Sequence, residues 1–216
     1  MNVVKNDANP PPDPPAGGHT QDTTLADNVG LMNTADLLEA VPAAEVPQPP
    51  AQVRWKPNVT VAALIEREGR FLLVEEQTSD GLLLNNPAGH LDQGESPIQG
   101  VIRETLEETA CAFEPQGFVG MFMSRFRRTR TGEDVTYLRL AFFGTASDPD
   151  LSLELDEGIV RTVWMTADEI RACPERHRSP LVLECLERYL AGERYPLSLL
   201  TVHDSVFSAP HYHRAA

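Results

Sequence analysis

Three glutamates, Glu104, Glu107 and Glu108, fall in the segment RETLEET at 103–109. On a helix of about 3.6 residues per turn they occupy one arc of roughly 100°. Like charges three and four residues apart cost a few tenths of a kcal/mol on an exposed helix, and more once water is removed from them. A hard divalent cation reverses the sign, because Mg²⁺ takes oxygen ligands and commonly combines carboxylates, waters and phosphate oxygens. The cluster therefore reads as half of a Mg²⁺–phosphate site. Spacing alone more often marks a solvated acidic helix face, and the residues before it decide between the two.

The helix that must carry these groups is punctuated at its start. Ser96 can cap it, Pro97 suits the first helical position, and Gln99 completes a capping box. Ile98, Ile102 and Leu106 share one face, which places the glutamates on the opposite face. Upstream, NVTVAALIER (58–67) and RFLLVEE (70–76) have strand composition and are separated only by Glu68 and Gly69, a tight hairpin. TSDG (78–81) is turn material, and LLLN leads into a turn at Pro87. Long strands are expected over 117–130 and 134–144, flanking a TGED turn, and another over 159–165. Thr166 with Glu169 opens a short helix through Arg171. Ser179–Pro180 opens another that Gly192 ends. This order argues for a mixed α/β sheet with helices packed on it.

The chain has 216 residues, 41% of them hydrophobic, with a formal net charge of −14. That charge disfavours nucleic acid and anionic membranes as partners. It leaves room for a small phosphorylated substrate if a cation or local basic groups share the site. Cys111, Cys173 and Cys185 have no metal-like spacing and suit buried thiols in a reducing compartment. With no leader-like start and no apolar run of membrane-spanning length, the expected location is the cytoplasm. Residues 1–54 hold nine of the eighteen prolines and are expected to form a disordered tail. Within it, 34–41 could be a transient helix or a partner-binding motif. The ordered domain is expected over 55–203 and a flexible tail over 204–216.

Gly89, Glu95, Arg103–Glu104 and Glu107–Glu108 follow the spacing GX5EX7REUXEEXGU, in which U is a bulky apolar residue. The chain thus resembles the Nudix hydrolases, which implies an α/β/α sandwich around a mixed sheet. Two positions depart: Thr105 stands in an apolar slot and Ala110 in the glycine slot. If that slot needs a positive φ, Ala110 is strained or the helix end is built differently. The resemblance implies that Glu104, Glu107 and Glu108 bind Mg²⁺, for which Mn²⁺ can substitute, with the Ala88 carbonyl as a further ligand. Glu107 would double as base. Arg103 would orient the glutamates, and Glu95, paired to Arg103, and Gly89 would support them.

WKPNVTVA, NNPAGHLDQGES and RSPLVLECLERYLAGERYPL are similar to the NudJ-type phosphatases within that family. That similarity implies orthophosphate release from nucleoside tri- and diphosphates, with thiamine diphosphate and hydroxymethylpyrimidine diphosphate as further substrates. His90, in the AGHL segment, either contacts a phosphate or fills the turn. Asp156 or Glu157 would be an additional ligand or base, or part of a solvated loop. Arg125 and Arg127 share a strand face and would meet substrate phosphates, or else solubilise a hairpin tip. The alternatives are a pyrophosphatase acting on ADP-ribose or another nucleoside diphosphate derivative, and a ligand sensor of the same fold without turnover.

Overall fold

The computed structural model describes residues 54–128 and 130–209. The proline-rich tail, apart from Arg54, lies outside the described residues, as do the possible helix at 34–41 and residues 210–216.

Strand β1 (Asn58–Arg67) turns through Glu68 and Gly69 into β2 (Arg70–Thr78). Both turn residues have positive φ, 53° and 75°. A two-residue turn of this hand matches strand twist, and glycine adopts it without steric cost. Then come β3 (Gly81–Asn85) and β4 (Ala88–His90). The expected turn at Pro87 is thus followed at once by a short strand. It pairs with β1 through Thr60–His90, Val61–Gly89 and Ala62–Ala88.

Helix α1 (Pro97–Thr109) starts with the expected capping box: Ser96 Oγ accepts from Gln99 N, and the Gln99 side chain accepts from Ser96 N. Ala110 ends it with φ 57°, its N–H donating to the Leu106 carbonyl. The helix end is therefore built in the left-handed conformation despite the alanine, at a cost of about 1–2 kcal/mol.

Strands β5 (Phe113–Arg127) and β6 (Asp134–Ala146) form a long hairpin, and β7 (Ile159–Thr166) pairs with β2. Helices α2 (Ala167–Arg171) and α3 (Leu181–Leu190) follow. The strands make a seven-stranded mixed sheet of order β3-β2-β1-β6-β5, with β4 on β1 and β7 on β2; β1 and β6 run parallel. A 3₁₀ turn at Asp204–Phe207 lies within the stretch expected to be a flexible tail.

Alternation along β1 supplies two cores. Val61, Ala63 and Ile65 meet Val101 of α1 on one face, and Leu64 meets Cys185 of α3 on the other. The α/β/α layering follows from this two-sided burial. Phe71 and Leu73 of β2 pack with Ile170, Val182 and Leu186 in a third cluster.

Glu75 of β2 ties the β7 side of the sheet together. It is 2% exposed and pairs with Arg161, its cross-strand neighbour, and with Arg176. The Arg161 hydrogen bond, followed by the other arginine contacts, outweighs burial and holds its carboxyl below the ordinary value of 4.5. A depressed folded-state value stabilises the protein above the unfolded value, and that stability is lost as pH falls through the folded one. Glu75→Gln should therefore cost about 1–3 kcal/mol near neutrality, toward the low end because both arginines reach solvent. The difference from wild type should shrink below about pH 4.5, as thermal melts across pH would show. A constant difference down to acid pH would remove the ion pairs as its cause.

Candidate active site

The three glutamates are not on a solvated face. Glu104 and Glu108 are buried, together with Val101 and Thr105, whereas Leu106 is 39% exposed. The expectation that the glutamates lie opposite the packed face is corrected on this point. Strand β4 packs along the flank of α1 and covers the side that carries them. Thr105, in the apolar slot, is fully buried and donates its hydroxyl to the Val101 carbonyl at 2.7 Å, which removes the cost of an unpaired polar atom there.

Arg103 gathers the cluster. Its Nη1 donates to Glu104 Oε1 (2.8 Å) and Glu107 Oε2 (2.9 Å). Nε donates to Glu95 Oε2 (3.0 Å), and Nη2 donates to Glu95 Oε1 (2.7 Å) and the His90 carbonyl (3.0 Å). The two-point fork to Glu95 fixes the guanidinium plane. It also holds the Glu95 carboxyl below its ordinary value. One arginine thus spans the β4 backbone, the loop before α1 and two of the three glutamates.

Glu108 accepts a hydrogen bond from Ala88 N–H at 2.8 Å. Its carboxyl is pushed up to about 9, by burial first and then by the charges of Glu76, Glu104 and Asp156. Glu104 is also raised, by burial, with the Arg103 hydrogen bond acting against it. Gly89 leaves the space that Glu104 fills: a β-carbon there would lie on the Glu104 carboxylate, well inside van der Waals contact. Asp156 is brought close as well, since its N–H donates to the Glu107 carbonyl at 3.0 Å. Asp156 and Glu157 line a cleft shared with Glu76 and Glu108.

Among the described residues, no three acidic, histidine or cysteine side chains already converge on one point as metal ligands. Arg103 holds Glu104 and Glu107, and Glu108 is turned toward the backbone of Ala88. The donor set still fits a hard cation. It is made of carboxylate oxygens, two of them buried against their own preference to stay charged, and a nearby cation favours the ionised form.

The remaining expected residues are placed less uniformly. His90 lines a cavity of about 210 Å³ that also reaches Ala88, Gly89 and Glu108. Its ring lies 5.8 Å from that of Tyr137. Arg125 is not among the residues lining that cavity; it is exposed and forked onto Asp134 across the hairpin, with Nε at 2.8 Å. Arg127 lines an outer cleft of about 570 Å³ beside it. Sequence reasoning passed over Arg139, Thr60 and Ser124, which line the inner cavity. The available signal was Arg139 itself, a charged residue inside the otherwise apolar run YLRLAFF.

Comparison with known proteins agrees with the fold. The NUDIX domain family matches residues 54–184, so the chain belongs to the Nudix hydrolases. Phosphatase NudJ of Escherichia coli K12 is 35% identical over 146 residues, covering 68% of this chain and 92% of that protein. The Shigella flexneri protein of the same name matches to the same extent. Among solved structures, a NUDIX hydrolase from Nitrosomonas europaea is 48% identical, with a TM-score of 0.63 over 69% of this chain and 99% of its own. A MutT NUDIX hydrolase from Burkholderia pseudomallei shares the fold at 21% identity and TM-score 0.50, covering 62% and 98%. Among the described residues, no helix is long and apolar enough to cross a membrane.

Proposed function

We propose that this Nudix hydrolase is a Mg²⁺-dependent phosphatase of phosphoric anhydrides. It releases orthophosphate from nucleoside tri- and diphosphates, and thiamine and hydroxymethylpyrimidine diphosphates are further substrates. The observation that carries this reading is the enclosed carboxylate set of α1, held by Arg103 and by the backbone of Ala88 and Gly89. The similarity to phosphatases NudJ over nearly their whole length supports the choice of product.

Glu104, Glu107 and Glu108 would hold the metal, with the Ala88 carbonyl and Asp156 or Glu157 as further donors. When bound, Mg²⁺ supplies neutralisation of the phosphate charge and orientation of a water. Glu107 is the least enclosed of the three, its side chain 39% exposed, and it accepts the proton of the attacking water. The water oxygen forms a bond to the terminal phosphorus as the bond to the bridging oxygen breaks, and the electron pair leaves with that oxygen. Arg103 keeps Glu104 and Glu107 in register, and Glu95 keeps Arg103 from turning away.

A panel of nucleoside tri- and diphosphates, thiamine diphosphate and ADP-ribose, with Mg²⁺ or with EDTA, tests this. The expected result is metal-dependent orthophosphate from the first three. Nucleoside monophosphate from ADP-ribose, with no orthophosphate from the others, would identify a pyrophosphatase instead.

A further inference from the structure

Three polar atoms that are buried without a hydrogen-bond partner among the described residues are Thr60 Oγ1, Ser124 Oγ and Arg139 Nε. All three residues line the inner cavity. The sheet explains their meeting. Thr60 of β1 lies directly beside Arg139 of β6, and Ser124 of β5 is paired with Tyr137, two residues from Arg139. Side chains so related in neighbouring strands share a face and lie within reach of one another. The next row toward the interior is Ala62, Ala88 and Ala141, whose small side chains leave room above them.

Arg139 is 6% exposed. Among the described residues it has no carboxylate at ion-pair distance. Its Nη atoms donate to Asn86 Oδ1 (3.4 Å) and Asn85 Oδ1 (3.2 Å). The guanidinium also lies beside the buried Cys185 thiol, whose proton burial holds in place, so that it offers no counter-charge. Asn85 is held in place by donating its amide to Glu76 Oε1 at 2.8 Å. The cavity's other arginines are matched: Arg178 with Glu76 and Arg128 with Glu133. A buried guanidinium without a counter-charge is costly, so its presence beside two unpartnered hydroxyls points to an anion that arrives with the ligand. A cavity of about 210 Å³ falls below the ~300–1,000 Å³ of sites that enclose drug-sized molecules. It suits a phosphate group, not a whole nucleotide.

We propose that Arg139, Thr60 and Ser124 form a receptor for the terminal phosphate of the substrate. The inference rests on the phosphatase reading and deepens it. A pocket that closes over an unesterified phosphate, with Glu108 on its wall, presents the outermost anhydride bond to the carboxylate set. The organic part then lies in the outer cleft. Orthophosphate is the product for this reason, and substrates whose outer phosphate is esterified are refused.

The test uses the full chain in two arms. In the first, metal-free protein is melted with and without inorganic phosphate. Wild type should gain stability with phosphate, as a ligand of the folded state must confer. Arg139→Gln and the double variant Thr60→Val/Ser124→Ala should gain little or nothing. In the second arm, KM for a nucleoside triphosphate should rise at least about tenfold in both variants, the scale of a lost hydrogen bond to a charged group. The preference over the γ-methyl ester of that triphosphate should fall with it. Ligand-free Tm of Arg139→Gln should be equal to or above that of wild type, since the change removes an uncompensated charge. A lower Tm in Arg139→Gln, with the phosphate response and ester discrimination intact in the double variant, would overturn the receptor and leave Arg139 a structural residue. Absence of hydrolysis in wild type with a retained, Arg139-dependent phosphate response would instead refute the phosphatase reading.

Discussion

Glu107→Gln should lower kcat by about a thousandfold or more at saturating Mg²⁺ and leave Tm unchanged. The magnitude follows from removing an oxygen donor and the proton acceptor together: metal-assisted charge stabilisation is worth several kcal/mol, and each 1.36 kcal/mol is about tenfold in rate. Stability is spared for a separate reason. The Glu107 side chain is partly exposed and makes an i,i+4 contact with Arg103, which an amide oxygen can still accept. Rate and melting temperature measured on the same preparation check this. Activity within tenfold of wild type would remove Glu107 from the chemistry and shift the assignment toward Asp156 or Glu157.

Gly89→Ala should cost at least about a hundredfold in kcat with little change in stability. Gly89 lies in β4, paired to Val61 of β1, so its backbone is not free to retreat. The new methyl would occupy the place of the Glu104 carboxylate, the far end of a side chain that can swing aside at small cost. The fold therefore survives while a metal-binding oxygen moves by about 1 Å or more, a displacement able to cost about 10²-fold. Full activity with Tm unchanged would show that Glu104 need not lie against β4. A large drop in Tm would show that β4, not Glu104, yields.

Both variants depend on a packing arrangement that helical periodicity did not convey. Ile98, Ile102 and Leu106 define a plausible apolar face, yet Leu106 is exposed and the buried side includes Glu104 and Glu108. Periodicity assigns burial by hydrophobicity, and here strand β4 covers the flank where the carboxylates lie. That strand is three residues long, too short for an alternating pattern to register, and it follows a proline that reads as a turn.

What is local was legible from the residues. The caps at Ser96 and Thr166, the hairpin turn at Glu68–Gly69 and the bounds of β1 depend on neighbours a few positions away, so the sequence by itself determined them. The carboxylate spacing belongs with these, because a single helix carries it. The tertiary structure decided which carboxylates lose water, why Arg103 can hold residues from two elements, and that Arg125 is matched by Asp134. It also decided that Thr60 of β1 shares one cavity with Ser124 and Arg139 of the β5–β6 hairpin, far from it in sequence. Burial and counter-charge are properties of neighbours brought together across the sheet, and no spacing along the chain records them.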